Sequence, residues 1–122
     1  MRVLLIEDDE NMASFVRKGL KEEGFTVAHE ADGESGLHLA LTEGFDAAIV
    51  DVMLPDINGL EALRRLREGG DRTPILIMST LTDRRYRERA EELGASFLNK
   101  PFTPLALMTI VQRLLSPPPA AT

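Results

Sequence analysis

The sequence contains no cysteine and no tryptophan, and only one of its 122 residues is tyrosine. Without cysteine, a disulfide framework and a thiolate metal site are both excluded. No apolar run approaches the roughly 18 residues that a membrane span needs, and no charged-then-apolar leader precedes the first strand-like run. We therefore expect a cytoplasmic domain that makes no contact with a membrane.

The chain also has fewer positively charged than negatively charged residues. The chain has 14 Lys and Arg against 20 Asp and Glu, which gives a formal net charge of −6. The cations are dispersed or interleaved with acids, as in residues 84–92, whereas a protein that binds a phosphate backbone normally presents a basic patch. We expect no direct nucleic-acid contact by this domain.

The length and the 43% share of hydrophobic residues fit one domain with a buried core. We assign residues 1–116 to this domain. Residues 117–122 begin with three prolines, and we interpret them as a Pro-rich tail or the start of a linker.

Five short apolar runs alternate with five amphipathic segments. The runs are too short for helices and rich in β formers, which predicts strands at 3–6, 25–29, 47–50, 75–78 and 96–99. The segments between them repeat apolar residues at helical spacing, such as Leu37, Ala40 and Leu41 in the second helix. Helix starts are predicted at the caps Asp32, Asp83 and Thr103, and helix ends at Gly24, Gly44 and Gly94. This alternation predicts an α/β domain with a five-stranded parallel sheet covered by helices on both faces.

Polar side chains follow four of the predicted strands. They are Glu7, Asp8 and Asp9 after the first, Asp51 after the third, Ser79 after the fourth and Lys100 after the fifth. Taken singly, each has an ordinary interpretation as a turn former, a helix cap or a solvated residue. In an open parallel sheet, however, ligands bind outside the carboxyl ends of the strands, where the strand order reverses. The combination therefore predicts one shared site.

The chemistry of this set favours a hard divalent cation. Carboxylates packed together repel one another unless a cation lies between them, and Mg²⁺ prefers such oxygen ligands, with Mn²⁺ as a substitute. The set lacks imidazole and thiolate, which makes Zn²⁺ a poorer match. A carboxylate beside Mg²⁺ can attack a phosphoryl group, while the Lys100 ammonium and the Ser79 hydroxyl neutralise its oxygens.

With these residues placed, residues 2–115 resemble the receiver domains of two-component response regulators. The stretches that carry the resemblance are residues 3–9, 49–55, 58–59, 73–79 and 100–102. The resemblance implies a doubly wound (βα)5 fold of the flavodoxin-like, CheY-like type. It also implies that Asp51 accepts a phosphoryl group.

The resemblance assigns further roles. Glu7 and Asp8 would form the acidic pair, with Asp9 as a helix cap. Direct ligands of Mg²⁺ would be Asp8, Asp51 and the Met53 carbonyl, and Glu7 would act through water. The remaining implied roles are Ser79 as the switch hydroxyl, Phe97 as the switch aromatic, Lys100 as the phosphate-pairing lysine and a cis peptide before Pro101.

A sensor histidine kinase or a phosphotransfer protein would supply the phosphoryl group. Phosphorylation would then switch the surface formed by the fourth helix, fifth strand and fifth helix. This surface would control a partner or an output domain, including one for transcription regulation. The same surface could join two copies of the domain in a homodimer. We expect a phosphoacceptor that assists its own phosphorylation rather than a turnover enzyme. Met53 and Leu81 flank the site and are apolar, so they offer nothing to orient a water, and autodephosphorylation should be slow.

Three other functions compete with this one. A phosphatase with an aspartate nucleophile would need a second acid where Met53 stands. A flavin-binding domain of the same fold would need a Ser/Thr/Gly loop after the first strand, where this chain has acids. A degenerate receiver used only for protein interaction is the third, because Thr80 stands where the family usually has a very small residue and would narrow the phosphoryl site.

Overall fold

The five apolar runs form the five strands of one parallel sheet. The computed structural model describes residues 1–116, and Pro117 to Thr122, which we interpreted as a tail, lie outside the described residues. The strands are β1 (Arg2–Ile6), β2 (Thr26–Glu30), β3 (Ala47–Asp51), β4 (Ile75–Ser79) and β5 (Ser96–Asn99). Every neighbouring pair is parallel, and the order is β2-β1-β3-β4-β5. The predicted sheet is confirmed.

The five amphipathic segments form the five helices. They are α1 (Glu10–Glu22), α2 (Gly33–Thr42), α3 (Gly59–Glu68), α4 (Arg84–Glu92) and α5 (Pro104–Leu115). The side chains of Asp9, Asp32, Asp83 and Thr103 accept hydrogen bonds from backbone N–H groups of the first turn, as N-caps do. Gly24 and Gly94 have φ of 90° and 76°, so both helix ends predicted at them are confirmed.

Two details of the second helix differ from the prediction. Gly44 follows α2 at the predicted place, but it does not adopt the positive φ of Gly24 and Gly94, because the chain is already extended at Glu43. Leu41 was assigned to the apolar stripe, yet it is 55% exposed, whereas Leu37 is buried. Leu41 lies in the last turn and reaches toward Gly69 after the end of α3, so its side chain does not enter the core.

The sheet separates two hydrophobic cores. Because side chains alternate along a strand, neighbouring residues of each strand enter opposite cores. Leu4, Ile6 and Val50 face the core that α2, α3 and α4 cover, whereas Val3 and Leu5 face the core that α1 and α5 cover. Burial on both faces explains why the central strands are continuous apolar runs. The predicted doubly wound arrangement is confirmed.

The strand order creates one reversal point, between β1 and β3. From β1 the chain moves outward to β2 and then returns past β1 to β3, β4 and β5. At the carboxyl edge Ile6 pairs with Val50, Asp51 with Met78 and Ser79 with Asn99. This register brings the residues that follow the strands to one edge of the sheet. Among residues 1–116, no helix has the length and apolar character that a bilayer span requires.

Gly59 allows a close approach of two backbone segments at this edge. Its N–H donates to the Val52 carbonyl over 2.8 Å. A Cβ at this position would lie 2.1 Å from the Asp51 backbone oxygen, a contact that a methyl group cannot make without moving the strand end. The glycine therefore lets α3 begin directly against the end of β3.

We predict that Gly59→Ala lowers the free energy of unfolding by about 2 kcal/mol, because overpacked sites typically lose this much. Urea unfolding followed by circular dichroism measures the change. Gly44→Ala is the matched control, since a Cβ there would meet nothing within 4 Å, and it should stay within about 0.5 kcal/mol of the parent. Equal losses in the two variants would contradict the steric explanation.

Candidate functional site

The carboxylates of Glu7, Asp8 and Asp51 meet at the reversal point of the sheet. One oxygen from each lies within 4.8 Å of the others. Glu7 and Asp51 are buried, and Asp8 is exposed to solvent. The structure thus brings together the predicted acidic residues of two different strands. Asp9 points elsewhere, because its carboxylate accepts the Met12 N–H over 3.0 Å and caps α1, as the resemblance implied.

Lys100 provides the positive charge at this cluster. Its Nζ lies 2.6 Å from Glu7 Oε1 and 3.1 Å from Asp51 Oδ1. The backbone positions the residue firmly, since the Lys100 N–H donates to the Ser79 carbonyl over 2.8 Å. The Lys100–Pro101 peptide is cis, as the resemblance implied. In the structure the ammonium pairs with Glu7 and with Asp51, whereas the sequence predicts only that it pairs with a phosphoryl group.

Burial makes the two inner carboxylates harder to ionise. Desolvation raises the pKa of Glu7 from 4.5 to about 7, although the hydrogen bond from Lys100 partly opposes this shift. Desolvation likewise raises the pKa of Asp51 from its usual value, again opposed by Lys100. Desolvation lowers the pKa of Lys100, but its bonds to Glu7 and Asp51 outweigh this effect and the pKa is raised overall. One ammonium therefore neutralises three carboxylates only in part.

Ser79 ends β4 beside this cluster and is fully buried. Its Oγ accepts the Leu81 N–H over 2.9 Å, so the hydroxyl closes a short turn at the start of the β4–α4 connection. Thr80, the residue that we expected to narrow the site, is exposed to solvent. The hydroxyl group predicted for the site is therefore at the predicted strand end, but its oxygen is engaged within its own turn.

Phe97 lies in β5 with its side chain buried among the residues of the core under α4. The guanidinium of Arg87 in α4 lies over its ring, with Cζ 5.0 Å from the ring centroid. Such a contact is a cation–π interaction. The aromatic residue that the resemblance singled out therefore packs into the core under α4, with an arginine of that helix over its ring.

The loop from Val52 to Asn58 connects the Asp51 strand end to α3. Its tip is fastened by Asp56, whose carboxylate accepts the N–H groups of Gly33 and Glu34, each over 2.7 Å, and of Ile57 over 2.8 Å. Desolvation raises the pKa of Asp56, but these donors outweigh it and lower the pKa to about 2. Asp56 thus ties the loop to the start of α2.

Met53 and Leu81, the two apolar residues predicted to flank the site, differ in exposure. Met53 is 58% exposed, whereas Leu81 is half-buried and packs against the core. Neither side chain carries a polar group that would hold a water by a strong hydrogen bond.

Sequence reasoning missed three polar contacts around the site. His29 Nε2 lies 2.8 Å from the Glu7 carbonyl oxygen, Asp56 fastens the loop after Asp51, and the Asn99 amide bridges β5 and the Ser79 turn. The local sequence indicates only a turn residue at Asp56 and an ordinary strand residue at His29. For Asn99, the only indication of a role in the sequence was its position between Phe97 and Lys100. That position did not identify the groups to which its side chain would hydrogen-bond.

The geometry defines a class: a doubly wound α/β domain with an acidic, lysine-bearing site at the reversal point of its sheet. Residues 3–112 match the family model described as the response regulator receiver domain. The chain therefore belongs to the receiver-domain family of two-component response regulators, whose standard role is to be phosphorylated by a histidine kinase.

Known proteins agree with this assignment. The chain is 41% identical over 116 residues to a probable transcriptional regulatory protein, SilR of Salmonella typhimurium, covering 94% of this chain and 51% of that protein. The chain thus spans about half the length of this curated relative. A receiver domain of Francisella response regulator 1452 superposes with a TM-score of 0.88 at 30% identity, covering 93% of this chain and 95% of that one.

A second similar structure comes from Pseudomonas aeruginosa PAO1. It is the receiver domain of the sensor histidine kinase PA1611, with a magnesium ion coordinated in its active site cleft. The TM-score is 0.84 at 31% identity, and the match covers 93% of this chain and 96% of that one.

The raised pKa of Glu7 predicts how stability depends on pH. Between about pH 4.5 and 7 the folded protein binds more protons than the unfolded chain, so stability falls as the pH rises through this interval. In metal-free buffer we expect Glu7 by itself to contribute a loss of at most about 3 kcal/mol between pH 4.5 and 8, and Glu7→Gln should remove this contribution. Chemical unfolding at a series of pH values measures the slope.

Glu91→Gln is the matched control, because Glu91 is an exposed carboxylate on α4. Its pH slope should equal that of the parent. A Glu7→Gln variant that keeps the parent slope would show that burial does not hold the Glu7 proton.

Proposed function

We propose that this receiver domain accepts its phosphoryl group on Asp51. The observation that carries the proposal is the position of the Asp51 carboxylate. It is buried at the end of β3, 3.1 Å from the Lys100 ammonium and beside the carboxylates of Glu7 and Asp8. Glu7 shares the burial, the lysine partner and the acidic neighbours, but it follows the end of β1, whereas Asp51 is itself the last residue of β3.

The proposed donor is a phosphohistidine of a sensor histidine kinase or of a phosphotransfer protein. An Asp51 carboxylate oxygen forms a bond to phosphorus, and the bond from phosphorus to the imidazole nitrogen breaks. The electron pair of that bond stays on the imidazole, which takes up a proton. Lys100 neutralises one phosphoryl oxygen, and the Ser79 hydroxyl donates to another. Small acyl phosphates are equivalent donors, with a carboxylate as the leaving group.

The donor set fits Mg²⁺. Three carboxylates share one ammonium, and the two buried ones have raised pKa values, so the cluster favours an additional hard cation. Asp8, Asp51 and the Met53 carbonyl would hold the ion directly and Glu7 through water, and Mn²⁺ would substitute. When bound, the ion supplies charge neutralisation for the phosphoryl oxygens. The similar PA1611 receiver domain, which holds magnesium in its active site cleft, supports this proposal.

The proposed output surface is formed by α4, β5 and α5. On α5, Leu107, Met108 and Val111 are buried, Ile110, Leu114 and Leu115 are half-buried, and Leu105 is exposed. Phosphorylation would change the hydrogen-bond partners of Ser79, which ends β4 just before the loop that leads to α4. This change would be transmitted to the output surface. The partner is an output domain or another protein, and a homodimer through this surface stays a prediction. We propose transcription regulation as the output, because the relative SilR is a probable transcriptional regulatory protein of about twice the length of this chain.

The decisive experiment uses acetyl phosphate and Mg²⁺, with intact mass as the readout. We expect the protein to gain one phosphoryl group, roughly 80 Da, and Asp51→Asn to gain nothing, because the amide cannot attack phosphorus. EDTA should abolish the gain in the parent. Asp46→Asn, which changes an exposed aspartate just before β3, is the control and should be phosphorylated like the parent.

Two results would contradict the proposal. If folded Asp51→Asn gained the same mass, another residue would be the acceptor. If the parent gained nothing while Mg²⁺ was bound, the domain would be a receiver used only for protein interaction. The same experiment tests whether the domain is instead a phosphatase. A phosphatase would release phosphate from the donor steadily, in an amount far above one equivalent per protein molecule.

The lifetime of the phosphoryl group follows from the residues that flank the site. Met53 and Leu81 cannot orient a water, so we predict slow autodephosphorylation and a several-fold faster rate in Met53→Gln, whose amide can hydrogen-bond a water. Leu105→Gln places the same amide at an exposed position of α5 and should leave the rate unchanged. The measurement is the loss of the phosphorylated mass with time. Fast release by the parent would contradict this prediction.

A further inference from the structure

Asn99, the last residue of β5, holds the turn that contains the switch hydroxyl. In the sheet register it pairs with Ser79. Its side-chain Nδ2 donates to the Leu81 carbonyl over 2.8 Å and approaches the Ser79 carbonyl at 3.3 Å. The same turn is closed from within by the Leu81 N–H, which donates to Ser79 Oγ over 2.9 Å. One side-chain amide therefore restrains both ends of the turn.

The orientation of this amide is fixed by its partners. Nδ2 faces two carbonyl oxygens, which can only accept, and Oδ1 faces Arg87 Nη2 at 3.4 Å, which can only donate. The same arginine lies over the ring of Phe97. A continuous set of contacts thus links α4, β5 and the Ser79 turn.

The restraint acts on the atom that the proposed reaction needs. While Ser79 Oγ accepts the Leu81 N–H, the hydroxyl is part of a local turn. If Ser79 moves toward a phosphoryl group on Asp51, the turn moves with it, and the Leu81 carbonyl is drawn away from Asn99. The bond of 2.8 Å accompanies the arrangement in which Ser79 Oγ is held within its own turn, which we call the resting arrangement, so loss of this bond opposes movement of Ser79 toward Asp51.

We propose that Asn99 is a positioning residue that holds the Ser79 turn in its resting arrangement and so sets how readily the domain adopts the phosphorylated one. The inference rests on the proposed function of Ser79 and Asp51. Asn99 itself touches neither the acceptor nor the phosphoryl group. It acts through the turn, and Arg87 supports it by holding the amide oxygen.

A merely structural role for Asn99 predicts a different result from a restraining role. If the amide only satisfies two carbonyls, then Asn99→Ala lowers stability and leaves the affinity for a phosphoryl mimic unchanged or weaker. If the amide restrains the resting state, its removal lowers stability and at the same time strengthens binding of the mimic, because the competent arrangement becomes more populated. Opposite directions in the two measurements are the signature of the restraint.

The test titrates beryllofluoride, a noncovalent mimic of the phosphoryl group, in the presence of Mg²⁺ and follows binding by fluorine NMR. Asn99→Ala should bind about fivefold more tightly than the parent, the change that loss of one ordinary hydrogen bond produces in an equilibrium. The rate of phosphorylation by acetyl phosphate should rise by about the same factor, and the melting temperature should fall. Arg87→Ala leaves the Asn99 amide in place and should show a smaller gain in beryllofluoride affinity.

Gln112→Ala is the matched control, because it removes an exposed carboxamide from α5 and should change neither affinity nor rate. Equal or weaker beryllofluoride binding by Asn99→Ala would overturn the inference. If Asn99→Ala does not fold, Arg87→Ala decides in its place, and equal or weaker binding by that variant would overturn the inference in the same way.

The same measurements separate this inference from the proposed function. A parent that neither binds beryllofluoride nor gains phosphoryl mass would overturn both together. Phosphorylation of the parent without any gain in affinity or rate in the variants would overturn this inference alone.

Discussion

The ion cluster of Glu7, Asp51 and Lys100 is the interaction on which the site depends. It buries two carboxylates and offers one ammonium, which lies 2.6 Å from Glu7 and 3.1 Å from Asp51. Breaking such a cluster leaves an uncompensated buried charge, so all three side chains must arrive together. The parallel sheet brings them together because β1, β3 and β5 end at the same edge. Asp8, exposed beside them, adds charge that Lys100 does not balance.

The fold was predictable because its main constraints are local. Strands buried on both faces require continuous apolar runs, and helices require a stripe and a cap, so residues such as Val50 and Asp83 identify their elements without knowledge of the partners. The position of Asp51 followed from one further rule about strand ends. Leu41 shows the limit: its spacing matches the apolar stripe, but the exposed last turn of α2 gives it no core to enter.

The contacts within the site were less predictable because they join residues that are distant in sequence. Lys100 and Glu7 are 93 positions apart, and Asp56 reaches the start of α2 across 22 and 23 positions. No periodicity or composition encodes which of two carboxylates a lysine approaches more closely. The same holds for Asn99, whose partners lie on another strand and its loop. Such pairings depend on tertiary packing, which cannot be read from the local pattern of a single sequence.

The site is also the place where the chain departs from the rules that stabilise the rest of it. Elsewhere the buried residues are almost all apolar, and carboxylates such as Asp56 are exposed and held by several donors. Glu7 is instead fully buried with its pKa raised to about 7. A group held in this way destabilises the metal-free domain once it ionises, and that cost is relieved by whatever binds with positive charge. The same electrostatic cost that weakens the metal-free fold would therefore favour binding of the proposed cation. The pairing of Lys100 with Glu7 moderates the cost without removing it, because one ammonium does not balance three carboxylates.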